Sequence, residues 1–203
     1  MLAFICGDSV IWKPSEQTPL CSLACEKIIS LAIESCDFDI PNGLHTLVMG
    51  DKHPAQQLAD DKRMALVSAT GSVEMGRDVN MRTAQRLGRS LLELSGNNAL
   101  IISANSDLDL ALRAVLFSAI GTSGQRCTSL RRLIIHQDIA DQFLVDLINA
   151  YRSIAIGDPR EENIHLGPLV NQQAYKNMQL SIEQGTHQGG QLHYGGERIM
   201  NTV

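Results

Sequence analysis

MALVSATGSVEMGRDVNMRTAQRLGRSLLEL, residues 64–94, is the stretch that decides the fold. Met64 to Ser68 is a short apolar run bounded by turn residues, the pattern of a β-strand. Thr70-Gly71-Ser72 then opens a segment of helical period that is expected to reach about Leu87. Ser90 to Leu94 is a second short strand. A strand, a helix and a strand in that order join two parallel strands through a crossover, which is the unit of an open α/β sheet.

The same alternation continues in both directions. Upstream, Met1 to Cys6 resembles the tail of a helix, and Gly7-Asp8 turns into a β-rich run, Ser9 to Lys13. Thr18-Pro19 starts a helix that runs to about Ser35, with proline at the first helical position. A strand follows from Leu44 to Met49, then a short helix from Pro54 to Asp60. Downstream, Ala99 to Ser103 and Leu130 to His136 are expected strands, and Ser106-Asp107 starts a helix that ends near Ile120. Ile139, Phe143, Leu147, Ile148 and Tyr151 mark the buried stripe of another helix. Asn171 to about Gly185 is expected as a helix and Gln191 to Tyr194 as a last strand. The expected boundary between two domains lies at Ser95-Gly96.

With 203 residues and 44% apolar content the chain can bury a core. Its net charge of -5, with no basic run longer than Arg131-Arg132, gives no footprint for nucleic acid or an anionic membrane. The odd set Cys6, Cys21, Cys25, Cys36 and Cys127 suits free thiols in a reducing compartment. Cys21 and Cys25 lie one helical turn apart, but no second pair or nearby histidine completes a metal site, so they are expected in the core as small hydrophobes. The apolar start is too short for a secretory signal. Leu108 to Ile120 contains Asp109 and Arg113 and is too short to span a bilayer. A soluble, cytoplasmic protein without membrane, nucleic-acid or metal partners is expected.

Four elements carry candidate chemistry. The loop Gly121-Thr-Ser-Gly-Gln-Arg-Cys127 sets a cysteine between a helix and a strand, where it is either a nucleophile projecting into a cleft or a packed thiol. Glu93 ends an apolar strand and is either a functional carboxylate or one turned to solvent. Gly71-Ser-Val-Glu-Met-Gly76 follows a strand and opens a helix, a geometry that offers backbone N–H groups to a phosphate and equally describes an ordinary cap. Trp12-Lys13-Pro14-Ser15-Glu16 lies at the C-terminal end of a strand, where open α/β sheets bind ligands. Lys13 suits a phosphate or ribose there and Glu16 a ribose hydroxyl, or both are solvated charges of a turn.

In this order and spacing, W-K-P-S-E, T-G-S-x-x-x-G, L-E-L-x-G and G-Q-R-C resemble the aldehyde dehydrogenase superfamily. Asn97-Asn98, Arg126 and Thr128-Ser-Leu-Arg-Arg132 look most like its antiquitin-like branch, whose members oxidise α-aminoadipic semialdehyde. Gly157-Asp158-Pro159 and Gly167-Pro168-Leu169 extend the likeness along the chain. The resemblance implies a Rossmann-like NAD-binding portion in residues 1–95 and part of an α/β catalytic domain in residues 96–203. It implies Cys127 as nucleophile, Glu93 as general base, Lys13, Glu16, Gly71 and Ser72 on the NAD side, and Arg126 at the polar end of the substrate. It also implies an aldehyde substrate and a homo-oligomer. NADP is the alternative cofactor, and Glu16 favours NAD because a carboxylate repels a 2′-phosphate.

Two departures accompany the likeness. Ser95 stands where the family usually has glycine. The family's W-N-x-P and E-x-F-G-P segments would lie before Met1 and beyond Val203, so the chain is expected to be an internal piece. A catalytically silent piece that at most binds nucleotide is the alternative to an active enzyme, and a thiol esterase independent of NAD is a third reading.

Overall fold

The computed structural model describes residues 2–37 and 39–199. The chain divides into two compact units, Met1–Leu94 and Ser95–Val203. Each is an α/β unit in which every named strand pairs in parallel with one other.

In the first unit, helix α1 (Leu2–Ile5) leads through Gly7 to strand β1 (Val10–Trp12). Helix α2 (Pro19–Glu34) then crosses to strand β2 (His45–Leu47), which pairs with β1 in the register Trp12 to Leu47. Proline opens α2 as the sequence indicates. Glu26 on α2 brings Oε2 to 2.7 Å from Nδ1 of His45 on β2, and the Trp12 ring tilts against the same imidazole. Helix α3 (Lys52–Asp60), capped by the Asp51 carboxylate, leads to strand β3 (Leu66–Gly71). Helix α4 (Val73–Gln85) and strand β4 (Arg89–Leu94) complete the expected crossover. Here β3 and β4 are paired along their whole length, Leu66 to Arg89 through Gly71 to Leu94. Gly76 lets α4 lie against β4, since a Cβ there would come within 2.5 Å of the Leu94 side chain.

The second unit begins with strand β5 (Asn98–Ile102), helix α5 (Leu108–Ile120) and strand β6 (Leu130–Ile135), with β5 and β6 parallel. Helices α6 (Gln137–Arg152) and α7 (Gln172–His187) follow. Asp107 caps α5 by accepting from Leu110 N–H, and Asn171 caps α7 by accepting from Ala174 N–H. The core is Ile102, Val115 and Phe143, the last only 1% exposed, with Ile139 and Leu147 from the expected stripe packed against it. The opposite side of the β5–β6 pair is bare: Ile101 is 75% exposed and Ile134 lies open beside it.

Three expectations are corrected. Gln191 to Tyr194 is not a strand, because no neighbour pairs with it and Gly189 and Gly195 on either side take positive φ. The strand expected to end at Ser68 runs on to Gly71, since Thr70 and Gly71 still find partners in β4. Cys21 and Cys25 are exposed, not in the core, although all five cysteines are free thiols as expected. Of the sixteen residues of α2 only Ser22 is buried. The three-residue strands β1 and β2 offer too little surface to cover an apolar helix of that length.

Candidate active site

In the first unit the candidate residues gather at the C-terminal ends of strands, the side on which open α/β sheets hold ligands. Lys13 follows β1 directly, and its side chain, 14% exposed, donates from Nζ to the Gly50 carbonyl at 3.0 Å. Gly50 lies just past β2, so the lysine ties the two strand ends together. Glu16, 54% exposed, brings Oε2 to 3.7 Å from Lys13 Nζ. Lys13 is therefore a largely covered cation with an exposed carboxylate beside it, not one of two free charges.

Gly71 ends β3 and Ser72 caps α4, its Oγ accepting from Met75 N–H at 3.1 Å. A Cβ on Gly71 would sit 2.6 Å from the Met75 terminal methyl group, which would have to swing aside. Register sets Glu93 opposite Thr70 and Leu94 opposite Gly71, and since Leu94 packs on α4 at Gly76, the Glu93 side chain leaves the strand on the opposite face. Glu93 is exposed. The sequence left both a buried and a solvent-facing glutamate open; the second is found. Alternation explains it, because Leu91, Glu93 and Ser95 share the exposed phase of the chain while Leu92 and Leu94 are half-buried.

In the second unit, α5 ends in a 3₁₀ turn, Gly121–Gly124, in which Thr122, Ser123 and Gly124 all take positive φ. Left-handed backbone is costly for a β-branched residue such as Thr122, and its neighbours hold it there. Arg126 Nε donates to Thr122 Oγ1 at 2.8 Å, Ser123 Oγ to the Gly167 carbonyl at 2.8 Å, and Gln125 Nε2 to the Thr122 carbonyl at 3.2 Å. Gln125 Oε1 also accepts from Val170 N–H at 2.8 Å. Gly167 and Val170 belong to the region of the Gly-Pro-Leu signature, which thus buttresses the loop.

Arg126 lies over the Phe117 ring, 5.6 Å from its centroid, and against Gly121, where a Cβ would meet the guanidinium at 2.9 Å. It makes no ion pair among the described residues. Cys127 follows in a turn, exposed and unbridged. Its carbonyl accepts from Asn98 Nδ2 at 2.7 Å. The Arg126 carbonyl accepts from Ser129 N–H at 3.2 Å, and Ser129 Oγ, fully buried, accepts from Arg126 N–H at 3.1 Å. Both peptide units that flank Cys127 are therefore anchored, while among the described residues its own N–H meets no acceptor. A small, exposed, sulfur-bearing residue on a rigid turn with a free amide donor can attack a carbonyl carbon and steady the resulting oxyanion.

The profile of the aldehyde dehydrogenase family matches residues 1–202. The chain belongs to the aldehyde dehydrogenase family. It is 40% identical over 198 residues to aldehyde dehydrogenase family 7 member A1 of Brassica napus, covering 98% of this chain and 40% of that protein. It is also 40% identical to the α-aminoadipic semialdehyde dehydrogenase of Bos taurus, covering 97% of this chain and 36% of that one. These relatives are of the branch that the sequence indicated. Among solved structures, the lactaldehyde dehydrogenase of Escherichia coli superimposes with a TM-score of 0.89 at 31% identity, over 96% of this chain and 40% of that one. PnpE, solved in complex with nicotinamide adenine dinucleotide, does so with a TM-score of 0.88 at 32% identity, over 97% and 39%. This aldehyde dehydrogenase chain thus spans about two fifths of the length of the relatives it matches.

Sequence reading singled out Cys127 and Arg126 but not the residues that hold their loop. Thr122 and Ser123 carry no signal for positive φ, and Ser129 is one of many small polar residues. Asn98 had a signal in the Asn97-Asn98 pair after Gly96, since adjacent asparagines at a strand start suggest side chains bonded to backbone.

Proposed function

We propose that this chain carries the nucleophile, the general base and part of the cofactor site of an NAD-dependent aldehyde dehydrogenase, with residues 1–95 serving the nucleotide and residues 96–203 the aldehyde. The substrate is a semialdehyde of the α-aminoadipic kind, whose polar end Arg126 receives. The observation that carries the reading is the presentation of Cys127: an exposed thiol on a turn whose flanking carbonyls are tied down and whose N–H is unclaimed.

The first unit fits a dinucleotide. Helix α4 is thirteen residues long, and Ser72 occupies only Met75 N–H, leaving first-turn donors and the positive helix end for a phosphate. Lys13 adds a fixed cation, and Glu16 a carboxylate for a ribose hydroxyl. When bound, NAD accepts the hydride that the aldehyde carbon gives up. The chain's own part is the rest. Cys127 Sγ adds to the aldehyde carbon to give a thiohemiacetal, and its N–H donates to the developing oxyanion. After oxidation the carbon is a thioester, and Glu93 takes a proton from the water that hydrolyses it, freeing the thiol and the carboxylic acid.

Reduction of NAD by the 203-residue chain with α-aminoadipic semialdehyde tests this, beside Cys127→Ala. Turnover that falls at least about a thousandfold in the variant is the expected result, since a removed nucleophile leaves little. Equal turnover in both proteins would sink the assignment of Cys127.

A further inference from the structure

The start of β5 does something unusual for a strand. Asn98 pairs with Leu130, but Ala99 pairs with Arg132, so the register slips by one residue at this point. Where the slip interrupts the ladder, the Asn98 side chain takes over. Its Nδ2 donates to the Cys127 carbonyl at 2.7 Å and to the Ser129 carbonyl at 3.0 Å. The amide thus bridges two carbonyls that lie before β6 begins. Gly96 supplies the room: a Cβ there would approach Asn98 Oδ1 to 2.9 Å and the Cys127 carbonyl to 3.2 Å. Ser129 closes the other side, fully buried and bonded in both directions to Arg126.

We infer that Asn98 is a positioning residue for Cys127: by holding the Cys127 and Ser129 carbonyls it fixes the peptide plane after the cysteine, while Ser129 N–H holds the plane before it, which carries the Cys127 N–H, so the turn from which the thiol and that N–H project keeps one shape. The inference rests on the proposed role of Cys127 but concerns the backbone around it. A bulge beside a functional side chain is a known way to aim it, and here one side-chain amide does the aiming. Its two N–H groups match two carbonyls, a task no acceptor-only carboxylate can perform.

Two reactions of the same thiol separate positioning from mere structure. Acetylation by p-nitrophenyl acetate forms the S–C bond through an oxyanion, releases the thiol proton to solvent and expels p-nitrophenolate. Alkylation by iodoacetamide displaces iodide and forms no oxyanion. Both are followed at Cys127 by peptide mass spectrometry of the full chain. Asn98→Ala and Asn98→Asp are expected to slow acetylation about tenfold or more while alkylation changes less than about twofold, the size of effect that an ill-aimed oxyanion donor gives. Asn98→Ser, which keeps one donor, is expected to recover part of the acetylation rate. Unchanged acetylation in Asn98→Ala overturns the inference. So does an equal fall of both rates, which is what a merely loosened loop would give, or an unsubstituted chain that does not acetylate at Cys127. Neither rate requires turnover, so a Cys127→Ala variant that still reduced NAD would refute the proposed nucleophile separately.

Discussion

Around Cys127 small residues matter for what they leave empty. A methyl group on Gly96 would press on the Cys127 carbonyl and on an Asn98 amide that two hydrogen bonds hold in place. Gly96→Ala is accordingly expected to cost about 1 to 3 kcal/mol, the usual range for overpacking, and thermal unfolding of the variant reads it; an unchanged midpoint would mean that the loop yields freely. The sequence pointed to Ser95 as the residue that departs from the family. At the next position, Gly96, an added Cβ would come to 3.2 Å from the Cys127 carbonyl. Position at an element boundary singled out Cys127, Glu93, Lys13 and the turn of Gly71 to Gly76 as candidates with ordinary alternatives, and it was the resemblance to the family that implied a role for each. What holds Cys127 in place was legible only as the Asn97-Asn98 pair, whose partners lie 29 and 31 residues along the chain, while Ser129 acts through a buried hydroxyl that leaves no signal.

Elements were legible where local chemistry dictates them. Asp107, Ser72 and Asn171 stand at helix starts because their side chains satisfy a free N–H three residues on, and all three do so. Elements failed where only a partner decides. Gln191 to Tyr194 has the composition of a strand and no strand beside it, and Cys21 and Cys25 have the spacing of a buried stripe and little to bury them. The end of α4 departs from the usual rule in another way. Leu87, just past the helix, takes φ of 59° and is 94% exposed, a place where glycine is the ordinary choice. Its N–H bonds to Ala84 and that of Gly88 to Thr83, so the stop is well formed and the leucine side chain only adds strain. Leu87→Gly is expected to stabilise the protein by roughly 0.5 to 1 kcal/mol, because left-handed backbone penalises a Cβ by about 1 to 2 kcal/mol and glycine's greater loss of chain freedom on folding takes back about 0.5 to 1 kcal/mol. A lower midpoint on chemical denaturation would show instead that the leucine finds cover.

For the molecule as a whole, each unit carries one carboxylate that an arginine two residues on holds well below its ordinary range. Asp61 is lowered from 3.8 to about 2 by side-chain hydrogen bonds from Arg63, and Asp158 from 3.8 to about 2 by those from Arg160. The folded value is the depressed one, so each pair contributes fully above the ordinary value and loses its contribution as the pH falls towards 2. Asp158→Asn is expected to lower thermal stability slightly at neutral pH, where an exposed pair is worth little, and to converge with the unsubstituted chain as the pH falls towards 2, so that its decline between about pH 4 and pH 2 is shallower by the same small amount. A decline as steep as that of the unsubstituted chain would show that the pair does not persist in solution. Among the described residues no helix is long and apolar enough to cross a membrane.

The division into two units has an optical consequence. The single tryptophan, Trp12, lies in Met1–Leu94, and all three tyrosines, Tyr151, Tyr175 and Tyr194, lie in Ser95–Val203. Indole emission excited at the red edge therefore reports on one unit and phenol absorbance on the other, without a label or a mutation. Whether the halves melt together or one after the other is written in the chain's own chromophores.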